Sequence, residues 1–321
     1  MDTIVKVGSN AVGVIKKPNK WNVIKRYKVL YFLMLPGIIY LLLNNYIPMF
    51  GIIIAFKNYN FEDGFLWSPT VGFENFKYLF STQAAFEMTR NTLGYNAIFI
   101  VVNLVLAVTM AILLNEVRAN FAKRFYQSAV LLPFFLSAVI VAYLVYSLLN
   151  PDSGLVNRYI LKAFGIEPVS WYLEPKYWPF ILVITNAWKN VGYGSVIYIS
   201  AMTGIDTEYY EAATIDGATK WQQVRFITVP LLVPIMVIMT ILSIGKIFYS
   251  DFGLFYQLPM GSGTLLPVTN VIDTFVYNSL VNMGDIGMSS AAGFYQSVVG
   301  FFLVLGTNLL VRKISPENAL F

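Results

Sequence analysis

The chain has 321 residues, 57% of them hydrophobic and 12% charged, with a mean hydropathy of +0.63. A soluble domain carries about a quarter of its residues as charges, so this shortage places the chain among membrane proteins. Histidine and cysteine are both absent, which removes disulfide frameworks, thiolate chemistry, the usual zinc sites and imidazole acid–base catalysis. The net charge is +5, and its placement argues against a nucleic-acid partner. Lys16, Lys17, Lys20, Lys25, Arg26 and Lys28 gather directly before the first apolar run, where a basic cluster is a topology signal or a contact with anionic lipid.

In chain order, a basic cytoplasmic tail (1–29) precedes a first apolar span near 30–56, predicted to bend at Pro36 and close near Pro48. It is too long for the apolar region of a signal peptide, and no small-residue cleavage site follows it. Crossing the hydrocarbon takes about 20 mainly apolar residues, and on that criterion further spans lie near 93–114, 125–149, 178–202, 229–249 and 289–311. With the N-terminus inside, the inner segments hold about fourteen Lys and Arg against about six outside, which places both termini in the cytoplasm. The outer connections are rich in aromatics ("FLWSPTVGFENFKYLF", "SWYLEPKYWPF"), readable either as a headgroup belt or as a docking surface for an external partner.

The fourth predicted span carries a polar-aromatic stripe at helical spacing: Asn186, Lys189, Asn190, Tyr193 and Ile197. A lysine at membrane depth costs at least about 2.5 kcal/mol and turns toward a cavity, a partner subunit or the interface. Asparagine and lysine bind hydroxyls, and a tyrosine ring can lie against an apolar CH face. Gly192 and Gly194 are read as points of bending. After this span comes the loop 203–228, whose "EAATIDGATKWQQ" is compact and charged. Asp206 or Thr207 can cap a helix there, with Glu208 and Glu211 early in it. Gly217 ends it, Thr219 caps a second short helix, and Pro230 opens the fifth span. In the fifth span Ser243, Lys246 and Ser250 form a weaker stripe with Tyr249 beside it, and Lys246 is read as snorkelling to the outer interface. The connection 250–287 has acidic but no basic residues, as suits an external loop. In the last span Ser290, Gly293, Ser297 and Gly300 make a small-residue face suited to helix packing. Gln296 and Asn308 are weak candidates for lining a route through the membrane, and a short cytoplasmic tail (314–321) closes the chain.

The pattern Glu211-Ala212-Ala213, three residues, Gly217, nine residues, Ile227, one residue, Val229-Pro230 resembles the EAA motif of ABC-importer permeases. Leucine is usual in that family where Val229 stands. "LMLPGIIYLLLNNYIPMFGIIIAFKNY", "VIDTFVYNSL" and the closing "SPENALF" are similar to the oligosaccharide and polysaccharide branch of sugar permeases. The resemblance implies an all-α integral membrane protein with six transmembrane helices over 30–313, the type I ABC importer permease fold. It implies that Glu211, Ala212, Ala213, Asp216 and Gly217 couple to a cytoplasmic ATPase. Glu211 would make a polar contact, the alanines a close-packing face and Gly217 a backbone turn. Asn186, Lys189, Asn190, Tyr193 and Tyr249 are the candidate substrate path.

No Walker A pattern exists in the sequence; "GKIF" at 245–248 lacks the upstream glycine spacing and the Ser or Thr. ATP and Mg would therefore be bound by a separate ATPase dimer, with no cofactor in this chain. A second homologous permease and an extracytoplasmic sugar-binding protein complete the implied assembly in a bacterial cell membrane. An ion-coupled carrier for a small polar solute is the main alternative, but such carriers place acidic residues or broken helices at the midplane. A membrane enzyme lacks any catalytic constellation to stand on.

Overall fold

The computed structural model describes residues 26–314, so most of the basic tail and the closing residues lie outside the described part. Among the described residues the backbone is almost wholly helical, without a strand beyond one isolated bridge between Lys57 and Thr70. The chain divides into two compact units, residues 1–53 and 54–321.

The first unit holds α1 (Lys28–Leu41), which continues through Pro36 without a break. A π-helical turn, Leu42–Tyr46, follows directly. Pro48 does not close this segment. It stands in the first turn of the short helix Ile47–Met49, where its missing N–H is tolerated, and a 3-10 run, Phe50–Phe56, carries on from there.

The second unit is built from α2 (Glu74–Ser81), α3 (Gln83–Asn115), α4 (Asn120–Leu131), α5 (Ala138–Leu149) and α6 (Trp178–Met202). These are followed by α7 (Thr207–Ile215), α8 (Lys220–Gln223), α9 (Val229–Ile244), α10 (Phe252–Gln257), α11 (Ile272–Tyr277) and α12 (Ile286–Ile314). Among the described residues four helical runs are long and apolar enough to cross a membrane: Lys28–Phe56, Gln83–Asn115, Lys220–Ile244 and Ile286–Lys313. A fifth arises if the bent pair Asn120–Phe135 and Ala138–Leu149 is one span. The remaining predicted span, α6, is a continuous 25-residue helix, but its polar stripe keeps it from being recognised by apolarity alone.

Two predicted elements need correction. The third span is not one straight helix: its halves meet at 99°. Pro133 supplies no N–H to the ladder and sits in a 3-10 turn. Leu136 and Ser137 then go extended, and the Ser137 hydroxyl caps α5 by accepting the Ile140 N–H at 3.3 Å. The second short helix of the 203–228 loop is not separate from the fifth span either. α8 continues through a π turn, Val224–Thr228, directly into α9. The wide turn, in which the Val229 N–H reaches the Val224 carbonyl, opens the ladder just where Pro230 has no N–H to donate.

α3 and α6 share the most extensive helix contact of this unit. One apolar cluster fills the end nearest α10, with Trp178, Leu182, Phe99, Leu254, Phe255 and Leu258 fully or almost fully buried. A second lies toward the α7 end, around Ala107, Ala111, Tyr198, Met202 and Leu232. Between these two clusters the contact between α3 and α6 becomes polar.

Candidate functional site

At that level a cleft of about 360 Å³ opens between α3, α6 and α9. From α6 it is lined by Asn186, Asn190, Gly194 and Ile197, and from α3 by Asn96, Phe99 and Asn103. α9 adds Thr240 and Ser243, and the turn after it contributes Lys246, Tyr249 and Asp251. The volume falls in the lower part of the range for ligand pockets, and the lining mixes apolar walls with a few convergent polar groups.

The amides form a connected set. Asn103 Nδ2 donates to Asn186 Oδ1 at 2.9 Å, and Asn190 Nδ2 donates to the Asn186 carbonyl at 2.9 Å. Asn103 Oδ1 is buried without a partner. Asn96 Nδ2 holds the turn after α9, donating to the carbonyls of Ile247 at 2.8 Å and Tyr249 at 3.2 Å. On the opposite side of the turn, buried Gln296 donates to the Phe248 carbonyl at 2.8 Å and to Asp273 Oδ2 at 3.1 Å. Asp273 Oδ2 also accepts the Ser250 N–H at 2.8 Å. The segment bearing Lys246 and Tyr249 is thus clamped from three helices, α3, α11 and α12, and Gly300 of α12 lies beneath the Tyr249 ring. Gln296 serves that clamp and does not line the cleft.

The predicted stripe on α6 splits. At about 100° per residue Asn190, Gly194 and Ile197 all lie to one side of Asn186, whereas Lys189 and Tyr193 lie to the other. Lys189 does not line the cleft; its Nζ lies 4.0 Å from Asp251 Oδ2, and its side chain is only 15% exposed. The partner is therefore in the same chain. Tyr193 stacks on Phe134, with ring centroids 4.6 Å apart and planes 10° from parallel. Tyr249 does line the cleft, and so does Lys246, which the sequence alone places at the outer interface. α6 continues through Gly192 and Gly194 without a break. A Cβ on Gly192 would lie 2.0 Å from the Val130 carbonyl oxygen, and one on Gly194 would lie 2.9 Å from the Ala107 Cβ. Both are points of close helix approach.

Asn96 and Asn103 escaped the sequence reading. Their signal is a spacing of seven within the apolar part of α3, which places them on one face. A double-mutant test follows. Asn103→Leu alone strands the Asn186 acceptor and should destabilise the chain in micelles by roughly 0.6–1.7 kcal/mol. The pair Asn103→Leu with Asn186→Leu should recover much of that, because removing both partners is far less costly than removing one. Chemical unfolding of the three variants reads the coupling, and a double variant no more stable than the single would show that the bond matters little.

At the other end of the unit, the Asp206 side chain caps α7 by accepting the Glu208 N–H at 3.0 Å. Gly217 has φ +80°. Its N–H donates to the Thr214 carbonyl at 3.1 Å, and the Ala218 N–H reaches back to the Ala213 carbonyl at 2.8 Å. These two bonds are a Schellman closure, which requires a left-handed residue at this position. Thr219 and Gln222 then form a full capping box on α8. Tyr210 and Thr228 share a 2.9 Å hydrogen bond, and buried Gln223 donates to the Thr214 hydroxyl at 2.9 Å. These contacts tie α7 to the root of α9. The Lys220–Glu116 pair at 4.0 Å is half-exposed and adds little.

The outer surface of this loop is unsatisfied. Glu211, Ala212, Asp216 and Gly217 are exposed, and Ala213 is half-buried. Glu211 lines a shallow concavity of about 340 Å³ with Thr207, Tyr210, Ile215 and Lys220. Ile215 is 86% exposed and Trp221 70%. Neither residue was singled out in the sequence, because a single apolar residue in a charged loop has no periodicity to mark it. Exposed apolar groups around a concave polar rim are how protein–protein contacts are built.

Residues 103–316 match the family described as "Binding-protein-dependent transport system inner membrane component". The polygalacturonan/rhamnogalacturonan transport system permease protein YteP of Bacillus subtilis is 36% identical, covering 91% of this chain and 90% of that protein. Protein LplB of Bacillus subtilis is 33% identical over 99% of both chains. Among solved structures, a bacterial ABC transporter involved in the import of the acidic polysaccharide alginate superimposes with a TM-score of 0.83 at 32% identity. The match covers 92% of this chain and 99% of that one. The same score and identity hold for bacterial alginate ABC transporter in complex with alginate pentasaccharide-bound periplasmic protein, of which 98% is covered.

Proposed function

The chain belongs to the family of binding-protein-dependent transport system inner membrane components, and from that membership we propose that it is the permease subunit of an ATP-driven carbohydrate importer. Its cargo is an oligosaccharide or a polysaccharide fragment. It works in a bacterial cell membrane with both termini cytoplasmic, beside a second homologous permease that completes the central path. A sugar-binding protein delivers cargo on the outer side, and a dimer of cytoplasmic ATPases, which binds the ATP and Mg, drives the cycle.

The observation that carries this reading is the loop 207–228, rigid within and unsatisfied without. Caps and hydrogen bonds hold α7 against the root of α9, so a force on α7 passes into a membrane helix. Its exposed face presents Glu211 as an acceptor and Ile215 as an apolar anchor. Closure of the ATPase pair would bring this element toward its counterpart and tilt α9, one wall of the amide cleft. Nucleotide and loaded receptor must each favour one state by differential binding, since a ligand indifferent to state shifts nothing. In the cleft the asparagines and Ser243 offer donors and acceptors to hydroxyls, and the Tyr249 ring offers a face to sugar CH groups.

Purification of the tagged full chain in mild detergent tests this directly. A P-loop ATPase and a second permease are expected to co-purify, with hydrolysis stimulated by a sugar-loaded receptor. A folded chain that brings down no ATPase, and whose cells take up solute on an ion gradient alone, would overturn the reading in favour of an ion-coupled carrier.

A further inference from the structure

The charge lining the cleft is unequally spoken for. Only Lys246 and Asp251 among its lining side chains are charged. Asp251 is committed twice: Oδ2 faces Lys189 at 4.0 Å, and Oδ1 caps α10 by accepting the Leu254 N–H at 3.1 Å. Lys246 belongs to none of the ion pairs formed among the described residues. It is exposed, but the turn that carries it is fixed by Asn96 on one side and by Gln296 and Asp273 on the other. The backbone is built to hold an ammonium at the cleft wall, and among the described residues no carboxylate pairs with it.

We propose that the cleft takes a carboxylate-bearing saccharide, a uronic-acid oligosaccharide, and that Lys246 is the residue that receives the carboxylate. This rests on the cleft being part of the import path. The rest of the lining suits such a cargo: amides and Ser243 for hydroxyls, and an aromatic face for the ring. A neutral sugar leaves Lys246 to water, whereas a uronate gains a charge-assisted hydrogen bond from it. The Lys189–Asp251 pair then has a second role. Left ionised and unpaired, Asp251 would repel an incoming carboxylate at close range. Lys189, set behind the wall and mostly buried, cancels that charge without entering the cleft.

The test uses the complete importer, purified through this chain and reconstituted in proteoliposomes with its receptor. Galacturonate and mannuronate tetramers are each compared with their methyl esters, which keep length and linkage but lose charge. Maltotetraose is added as a neutral cargo. The readout is the ratio of acid to ester uptake. Wild type should favour at least one acid by roughly tenfold or more, the scale of one hydrogen bond to a charged group. K246Q should bring the ratio close to one, and K246R should keep it. The same receptor serves every variant, so a change in ratio belongs to this chain. A wild type that imports esters or maltotetraose in preference to both acids overturns the proposal and leaves carbohydrate import standing. An acid preference unchanged in K246Q overturns the role of Lys246 and returns it to the lipid interface. A complex that hydrolyses ATP yet imports none of these saccharides overturns the proposal together with the carbohydrate reading of the cleft.

Discussion

Valine at position 217 is expected to abolish uptake while the chain still inserts and purifies. Gly217 stands at φ +80° with nothing within 4 Å of where a Cβ would be, so the chain itself has room for a side chain. The constraint is conformational: a left-handed residue other than glycine costs about 1–2 kcal/mol, and a β-branched one is a genuine outlier there. Relieving that strain breaks the Schellman pair. The carbonyls released belong to Ala213 and Thr214, and the N–H groups released belong to Gly217 and Ala218. α7 then ends differently, and Glu211 and Ile215 change their relative placement. The helices of the second unit are held by other contacts, so the loss should fall on coupling and spare folding. A series separates the causes. If conformation rules, uptake should fall in the order Gly, Asn, Ala, Val, because asparagine tolerates the left-handed region. If the ATPase cleft needs a bare backbone at this point, alanine should be better tolerated than asparagine. ATPase stimulation by loaded receptor reads both, and a fully coupled Gly217→Val would remove the loop from the mechanism.

What was legible in the sequence was whatever is written locally. The spans follow from continuous apolar runs. The caps at Asp206 and Thr219 and the turn at Gly217 follow from residue chemistry within one or two turns, and all three stand in the structure as read. The break in the third span could have been suspected at Pro133, but its 99° angle depends on the extended Leu136 and Ser137 that follow. Helical periodicity placed Asn186 and Asn190 on the cleft, yet it could not decide which edge of the stripe would face away, and Lys189 and Tyr193 lie beyond it. The partner of Lys189 was out of reach for a plainer reason. Asp251 lies in a different element, distant in sequence, and only the packing of α6 against the turn after α9 brings the two charges together. The place of Lys246 on the cleft was out of reach in the same way, because the turn that carries it is set by Asn96 and Gln296 from distant elements.

Alanine at position 192 is expected to destabilise the second unit, although helix propensity argues the opposite sign. In a helix interior Gly→Ala ordinarily gains about 1 kcal/mol, and α6 is helical throughout. Against that, the new Cβ would lie 2.0 Å from the Val130 carbonyl oxygen and 2.6 Å from its carbon. Both are backbone atoms near the end of α4 and cannot swing aside as a side-chain tip can. Relief requires α4 and α6 to separate by an ångström or more at their point of contact. That movement also loosens the adjacent Phe134–Tyr193 stack and disturbs the bend at Leu136–Ser137, which starts α5. Overpacking of this kind costs typically 1–3 kcal/mol, and with rigid atoms on both sides the cost should exceed the propensity gain. Gly293→Ala supplies the control. It lies in the interior of α12 with nothing within 4 Å of a Cβ, so in the isolated chain it should be neutral or mildly stabilising. Unfolding of both variants in micelles decides between the two effects. A Gly192→Ala chain as stable as Gly293→Ala would mean that α4 yields easily at Val130. The bend before α5 would then be a soft joint in place of a packed one, and closure of the ATPases could move α4 independently of α6.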